Sequence, residues 1–479
     1  MVINEAAASD GKIDKTKPLT EKQVGHVLDR MGTTGPLKIL VFAASLGYLF
    51  DAFDNALLGY VLPAISEEFT IDPVIKGLII SAALWGGVLG QYVWGPLADI
   101  RGRRPAFQGT LLSFSGFTGL TALSWNPISL FVFRFITGTG LAGFIPVDSA
   151  MVSEMTPTRI RGRLTSFLPV VFPLGSLMAA GITLALLDVI GWRFMFVIGA
   201  LPALIAFWVR HNLPESPRWL AVKGRGIEAI AALQKLAAPD HLIAEAQQLP
   251  DEEQRVAETK ANFRELLTAR WVKAHIVSWS LWISVNFAYM GVLLWLPSIL
   301  VDVYGFSIAK SLTMTLITNS VGVAGRLFGV FLIERIGRKP LIIYTYVCAA
   351  LICLTIGFLD NPNIFIVLMA IFFFFADQAS VGVVAFVPEL YPTRLRVLGS
   401  AWAAAAGRIA SAVSPIMAGA FMKFNAFAAV WIVFAAVYVV AALITWFLAP
   451  ETKGRSLDDV TDANIEASGA GGEPPLQNA

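Results

Sequence analysis

Two carboxylates, Asp51 and Asp54, stand three residues apart inside an apolar segment that begins near Ile39, and a guanidinium, Arg134, stands inside another that begins near Ile128. Side chains at i and i+3 are neighbours on one helix surface. An ionisable side chain within a lipid-spanning helix costs at least ~2.5 kcal/mol by insertion scales, so each needs a reason to be there. Neighbouring carboxylates in poor solvent repel, and a pair of them can take up and release a proton. Arginine does not titrate usefully, and it can hold an ionised aspartate or the carboxylate of a solute. The arrangement therefore reads as proton coupling at Asp51 and Asp54 with Arg134 as a substrate ligand. The plain alternative is a buried ion pair that only fastens two helices.

Three more polar residues lie deep in apolar segments and are candidate substrate ligands: Asp377 with its neighbour Gln378, and Arg408. Asp377 and Arg408 are expected to face the same level, either paired with one another or, for Arg408, turned toward an anionic substrate. The four histidines (His26, His211, His241 and His275) are scattered, and Cys348 and Cys353 share one apolar segment. Neither set makes a metal or nucleophile constellation, so no metal and no catalytic group is expected. No GxxxxGK[ST] nucleotide loop occurs, which disfavours ATP as the energy source, and no cofactor is expected.

The elements that must position these groups follow from composition. Hydrophobic residues make up 56% of the 479 positions and charged residues only 15%, whereas a soluble protein keeps about a quarter of its residues charged. The partner implied is a lipid bilayer, and a net charge of +2 without a basic block excludes nucleic acid. A bilayer core of ~30 Å needs about twenty apolar residues per crossing. Twelve such segments are read: 39–62, 75–97, 106–125, 128–152, 164–187, 193–210, 274–299, 311–333, 341–359, 364–387, 397–421 and 426–448. At about 1.5 Å per residue, Asp51 and Asp54 lie roughly 18 and 22 Å up the first helix, and Arg134 about 9 Å down the fourth, so their heights match.

Lys and Arg set the orientation. Arg101, Arg103, Arg104, Arg159, Arg161, Arg163, Arg335, Arg338, Lys339, Arg394 and Arg396 follow the second, fourth, eighth and tenth segments, against Lys76, Arg193, Lys310 and Lys423 on the other side. The first face is expected to be cytoplasmic, with both termini. The expected organisation is a cytoplasmic tail (1–38), a six-helix bundle (39–210), a polar central loop (211–272), a second six-helix bundle (273–449) and a cytoplasmic tail (450–479). The expected location is the inner or plasma membrane, as a monomer.

The halves repeat. GVLGQYVWGPLADIRGRRP (87–105) aligns with GVAGRLFGVFLIERIGRKP (322–340) at an offset of 235, which also brings Glu154 onto Glu389 and Pro157-Thr158-Arg159 onto Pro392-Thr393-Arg394. Pro214-Glu215-Ser216 matches Pro450-Glu451-Thr452 one residue out of step. Such repeats normally meet around a mid-membrane site. The same offset sends Asp51 to Asn286 and Asp54 to Tyr289, so Asn286, Tyr289 and nearby Trp282 are expected to face the solute, the aromatics as flat surfaces. Asp99, Arg103, Asp148, Glu154, Arg161, Glu334, Arg338, Glu389 and Arg394 gather at the charged face and are expected to form a gate whose pairs change between two states.

These blocks resemble the major facilitator superfamily. Gly95-Pro-Leu-Ala-Asp99-Ile-Arg101-Gly102-Arg103-Arg104 is similar to its signature loop between helices two and three, and Arg134-Phe-Ile-Thr-Gly138 to its helix-four motif. Pro214-Glu215-Ser216-Pro217-Arg218-Trp219-Leu220 is similar to a signature of sugar porters and organic-ion transporters. Asp51-Ala52-Phe53-Asp54 resembles the paired aspartates of aromatic acid–proton symporters and nicotinate permeases. The resemblance implies an all-α fold of twelve transmembrane helices in two pseudo-symmetric halves, and a secondary transporter rather than an enzyme. It implies proton-coupled symport of a small organic acid by alternating access. The alternatives are a sugar, polyol or organic-cation carrier, an exporter, or a non-transporting membrane sensor. Helix seven, Ser280-Leu-Trp-Ile-Ser-Val-Asn286-Phe-Ala-Tyr289, lacks the paired glutamine of sugar porters.

Overall fold

The computed structural model of the chain describes residues 13–202, 204, 208, 213–250, 263–392 and 395–453, and among them the secondary structure is helical, without a strand. Expectations placed on Arg394, on most of the far part of segment 193–210 and on the last residues of the chain lie outside this set. The helices are α1 (Glu21–Arg30), α2 (Gly35–Phe69), α3 (Pro73–Arg101), α4 (Arg103–Thr121), α5 (Pro127–Met155) and the run α6 (Thr158–Gly199). Three short helices follow, α7 (Pro217–Val222), α8 (Gly226–Lys235) and α9 (Asp240–Gln248), with the single turn α10 (Phe263–Leu266). The second set is α11 (Val272–Asp302), α12 (Ile308–Ile336), α13 (Arg338–Ile356), α14 (Pro362–Glu389), α15 (Arg396–Lys423) and α16 (Phe427–Leu448).

Ten spans among the described residues are long and apolar enough to cross a membrane. Helix α4, as long as α13 at 19 residues but less apolar than these spans, lies between α3 and α5 in the succession. Run α6 is two helices, parted at Gly191, where φ is 75°. The second of them is described as far as Gly199.

Local chemistry explains where the helices start. At the end away from the arginine-rich loops, Asp72-Pro73, Asn126-Pro127 and Asn361-Pro362 each place an Asx cap before a proline in the first turn. The cap side chains accept from Val74, Ser129 and Asn363 backbone N–H groups at 2.8, 2.7 and 2.9 Å, and proline loses nothing there because its missing N–H would be unpaired anyway. At the charged end the breaks are Gly102 and Gly337, at φ 112° and 95°, a backbone that side chains rarely adopt. A side chain at either glycine would also collide with Glu215 or Glu451. These two acids explain the repeated Pro-Glu-Ser and Pro-Glu-Thr blocks. Glu215 accepts from the backbone N–H groups of Arg103 and Arg104, and Glu451 from those of Arg338 and Lys339, so each carboxylate seats on the positive N-terminus of α4 or α13.

The helices of the first half pack on one another through α3 with α5, α2 with α6 and α4 with α5, and those of the second through α12 with α14, α13 with α16 and α13 with α14. Glycines permit the closest crossings: a side chain at Gly86 would strike the Phe135 carbonyl, and one at Gly325 the Phe374 carbonyl. The halves touch each other through α3 with α15, α2 with α11 and α6 with α12. These contacts gather at the end away from the arginine-rich loops. Lys76 reaches Asp302 at 2.6 Å, Lys423 reaches Asp72 at 3.4 Å, Asn319 donates to the Tyr60 hydroxyl at 2.9 Å, and Gly77 lies against the Pro415 carbonyl.

The described residues before the first crossing, from Ile13 on, are not a free tail. Leu19, Val24, Val27 and Leu28 are buried against the short helices of the central loop, because 24, 27 and 28 form an apolar stripe on α1. Gln23 donates to the Leu249 carbonyl at 3.1 Å, and Asp29 accepts from the Thr158 backbone N–H at 2.7 Å.

The close contact at Gly77 is what lets this end shut. In Gly77→Leu the added side chain forces the Pro415 backbone away. Spin labels at Ile75 and Phe424, both exposed, are expected to show a distance distribution moved outward by several ångström; an unaltered distribution would show that the contact does not hold this end closed.

Candidate functional site

A cavity of about 220 Å³ lies between the halves. From the first half come Asp51 and Asn55 on α2, with Gly87 and Gly138 leaving room beside them; from the second come Trp282, Asn286 and Met290 on α11 and Arg408 and Ser411 on α15. Asn55 donates to the Asp51 carboxylate at 3.0 Å, and Asn286 to the Trp282 carbonyl at 2.9 Å. With the Gln91 amide oxygen turned to Arg408, it accepts from the guanidinium at 2.6 and 3.2 Å across the interface of the halves. Asp51 and Arg408 face one cavity without closing to an ion pair within 4 Å. One fixed positive group and one carboxylate thus flank a space with an indole wall.

The expectation that Asp51 and Asp54 share this site is corrected. Residues three apart on a helix of 3.6 residues per turn are offset by about 60°, and that rotation sends them to different surroundings. Asp51 meets the cavity. Asp54, fully buried, accepts from Thr118 at 2.8 Å on α4 and pairs with Arg134 at 2.9 Å on α5. Arg134 is 1% exposed, lies 5.7 Å from the centre of the Phe196 ring and does not line the cavity. Its placement is that of a partner for Asp54 inside the first half, because the helix seam offers it no solvent and no other anion.

The pairing of Asp377 with Arg408 is corrected too. Asp377 accepts two bonds from Arg326 on α12, at 3.0 and 2.6 Å. The Tyr289 hydroxyl lies within electrostatic reach of the same carboxyl, and its ring stands edge-on to Phe373 at 5.7 Å. Gln378 accepts from the Tyr344 hydroxyl and packs on Gly329. Tyr289, Asp377 and Gln378 therefore sit within the second half's own helix contacts, and only Trp282, Asn286 and Arg408 of the expected substrate ligands reach the cavity. Arg326 was legible: it lies in the middle of an apolar segment, where any cation needs a partner. Gln91, Asn55, Ser411 and Met290 carried no such signal, since uncharged residues are common in spanning helices.

At the charged face the expected residues form two like clusters. Arg103 pairs with Asp99 at 2.6 Å and Glu154 at 2.8 Å; Arg338 lies 3.6 Å from Glu334 and 3.4 Å from Glu389. Each of these pairs stays inside its own half. Arg161 lies within electrostatic reach of Asp29 and Arg218, and Arg394 falls outside the described residues. Asp148 is corrected: it is fully buried in α5 and neither carboxylate oxygen has a hydrogen-bond partner among the described residues, because it points into the bundle rather than toward the charged loops. No cluster of three or more His, Cys, Asp or Glu among the described residues could hold a metal.

Residues 40–463 match the model of the family described as "Sugar (and other) transporter". The chain is 30% identical over 432 residues to the niacin transporter NiaP of Acinetobacter baylyi, covering 88% of this chain and 95% of that one. It is 30% identical over 371 residues to the 4-hydroxybenzoate transporter PcaK of the same organism, covering 75% and 79%. In three dimensions it resembles the inward-open xylose transporter XylE of E. coli, with a TM-score of 0.70 at 21% identity over 89% of this chain and 99% of that one. A matched family model over most of the length, two related six-helix halves and a cavity between them lead to one conclusion: the chain belongs to the sugar (and other) transporter family and is a multi-pass membrane transporter with the major facilitator fold.

Proposed function

We propose that the chain couples inward proton movement to uptake of a small organic acid bearing an aromatic or nicotinate-like ring. The observation that carries this reading is the cavity with Arg408 on one wall and Asp51 on the other, unpaired with each other. A guanidinium held by the neutral Gln91 amide keeps its charge available for a carboxylate. While Asp51 is ionised it competes with that carboxylate for Arg408; once protonated, it leaves the guanidinium to the substrate. Proton and anion then occupy the site together, which is the thermodynamic content of symport. Trp282 and Met290 suit a flat ring, and Asn55 and Asn286 suit its polar substituents. Relatives named for niacin and 4-hydroxybenzoate agree with this chemistry, since both compounds are monocarboxylates on six-membered aromatic rings.

Asp54 and Arg134 form the second part of the device. Protonating Asp54 removes the charge that holds Arg134, loosening α2 from α5, so the helix that carries Asp51 can shift. The contacts between halves gather at the end away from the arginine-rich loops, and the ion pairs at the other end remain within each half. The arginine-rich face is read as cytoplasmic, which puts both termini in the cytoplasm of a cell whose inner or plasma membrane holds the protein. The cavity in this state then faces inward.

Two outcomes are expected in proteoliposomes with nicotinate, 4-hydroxybenzoate, xylose and an organic cation as probes. Uptake of a monocarboxylate, and not of xylose or the cation, rises with an inward proton gradient. Arg408→Gln raises the half-saturating concentration of that acid by about 30-fold or more, the loss of about 2 kcal/mol or more when a buried charge loses its partner. Asp54→Asn abolishes gradient-driven accumulation while part of the exchange survives, because the asparagine cannot carry a proton but can still bond Thr118. Gradient-independent uptake of xylose, with Arg408→Gln unaffected, would favour a sugar carrier instead.

A further inference from the structure

Asp148 has no role in the cycle described so far, and its surroundings are unusual. It is fully buried on α5, seven residues before the helix ends at Met155, and among the described residues neither carboxylate oxygen has a hydrogen-bond donor. An ionised carboxylate in that position would have neither water nor a cation nor an N–H to stabilise it. Among the described residues none is within hydrogen-bond distance of it. On α3 and α4 the neighbouring part of α5 meets Trp94, Phe107 and Phe114. On α2 it meets Gly47, against which the Phe144 ring is pressed, and Tyr48.

Tyr48 is the exception in this apolar setting. Its hydroxyl lies 3.2 Å from the Ser149 hydroxyl, one residue from Asp148, and it is buried at 5% exposure. It also precedes Asp51 by three residues on α2, nearly one helical turn. The ionisable groups within electrostatic reach of the Tyr48 hydroxyl are Asp148, Asp51 and Arg408. The tyrosine thus stands within electrostatic reach of both the buried acid and the cavity-lining Asp51.

We infer that Asp148 is a second proton-binding site of the transport cycle, coupled through Tyr48 to the cavity-lining Asp51. The inference rests on the symport reading above. In the state described, Asp148 holds its proton as a neutral acid. When α2 shifts against α5 and water reaches the seam, the O–H bond of Asp148 breaks and its proton moves toward the Tyr48–Ser149 pair, while Tyr48 passes a proton to ionised Asp51. Asp148 is left as the carboxylate, to be reprotonated before the seam closes. One proton enters Asp51 for each that leaves Asp148, so charge is conserved along the path.

The test uses the full-length chain. At neutral pH the infrared spectrum of the wild type minus that of Asp148→Asn is expected to contain the C=O stretch of an un-ionised carboxyl. In proteoliposomes Asp148→Asn lowers proton-gradient-driven accumulation of nicotinate by about tenfold and shifts the pH of half-maximal uptake, whereas counterflow of nicotinate falls far less. Tyr48→Phe, which keeps the ring against Phe144, shifts the same pH profile. A purely structural role would leave that profile in place. Absence of the infrared difference, or an unchanged pH profile and accumulation in Asp148→Asn, overturns the inference. A wild type that ignores the proton gradient overturns the symport reading instead, and the infrared difference then still decides whether Asp148 carries a proton.

Discussion

An ionised side chain inside a low-dielectric bundle is tolerable only beside an opposite charge, a set of donors, or water, and the interior of this protein is arranged around that requirement. Each half satisfies it once with an internal ion pair: Asp54 with Arg134 between α2 and α5, and Asp377 with Arg326 between α14 and α12. The first pair is supplemented by the Thr118 hydroxyl, and the Tyr289 hydroxyl lies within electrostatic reach of the second. Neither pair crosses the interface of the halves. In the state described they fasten the helices of each bundle to one another, so that loss of a charge in either pair frees a helix to move.

The charges that do meet at that interface are treated differently. Asp51 and Arg408 face a common cavity without pairing, and the arginine is steadied by the neutral amide of Gln91. A fully closed salt bridge would leave a substrate anion little to gain; an open one leaves room for the solute to complete the electrostatics. At the end away from the arginine-rich loops, Lys76 with Asp302 and Lys423 with Asp72 span the two halves. Asp302 is 40% exposed, so solvent screens the first of these pairs, and backbone contacts at Gly77 and Gly419 contribute the tighter closure. Contacts that are individually weak suit an interface that must open and close within a few kcal/mol.

The charged ends show how a repeated sequence makes a repeated structure. In both halves an Arg after the positive-φ glycine joins an acid one turn before it to an acid at the end of a later helix, and a downstream Glu seats on the N-terminus that the glycine creates. Every part of this cluster is local or anchored to a helix terminus, which is why alignment of the two halves found it without coordinates. The docked α1 was less apparent. Its apolar stripe is only three residues, set among charges, and its value appears only once the central-loop helices offer a surface to receive it.

By itself the sequence determined the twelve crossings, the two-fold repeat and several of the buried ionisable residues (Asp51, Asp54, Arg134, Asp377 and Arg408, though not Arg326), because length, hydropathy and motif identity are one-dimensional properties with direct physical costs in lipid. It located Asp51, Arg408, Trp282 and Asn286 as cavity candidates by depth and repeat offset. Depth along a helix is counted in residues, but the direction in which a side chain points depends on how the helix is rotated against its neighbours. Only tertiary structure decided that Asp54 turns into the α4–α5 seam while Asp51 meets the cavity. It likewise gave Asp377 to Arg326 instead of Arg408, and left Asp148 alone. Partners for a buried charge lie tens or hundreds of residues away, and an offset of about 60° on one helix is enough to exchange one partner for another.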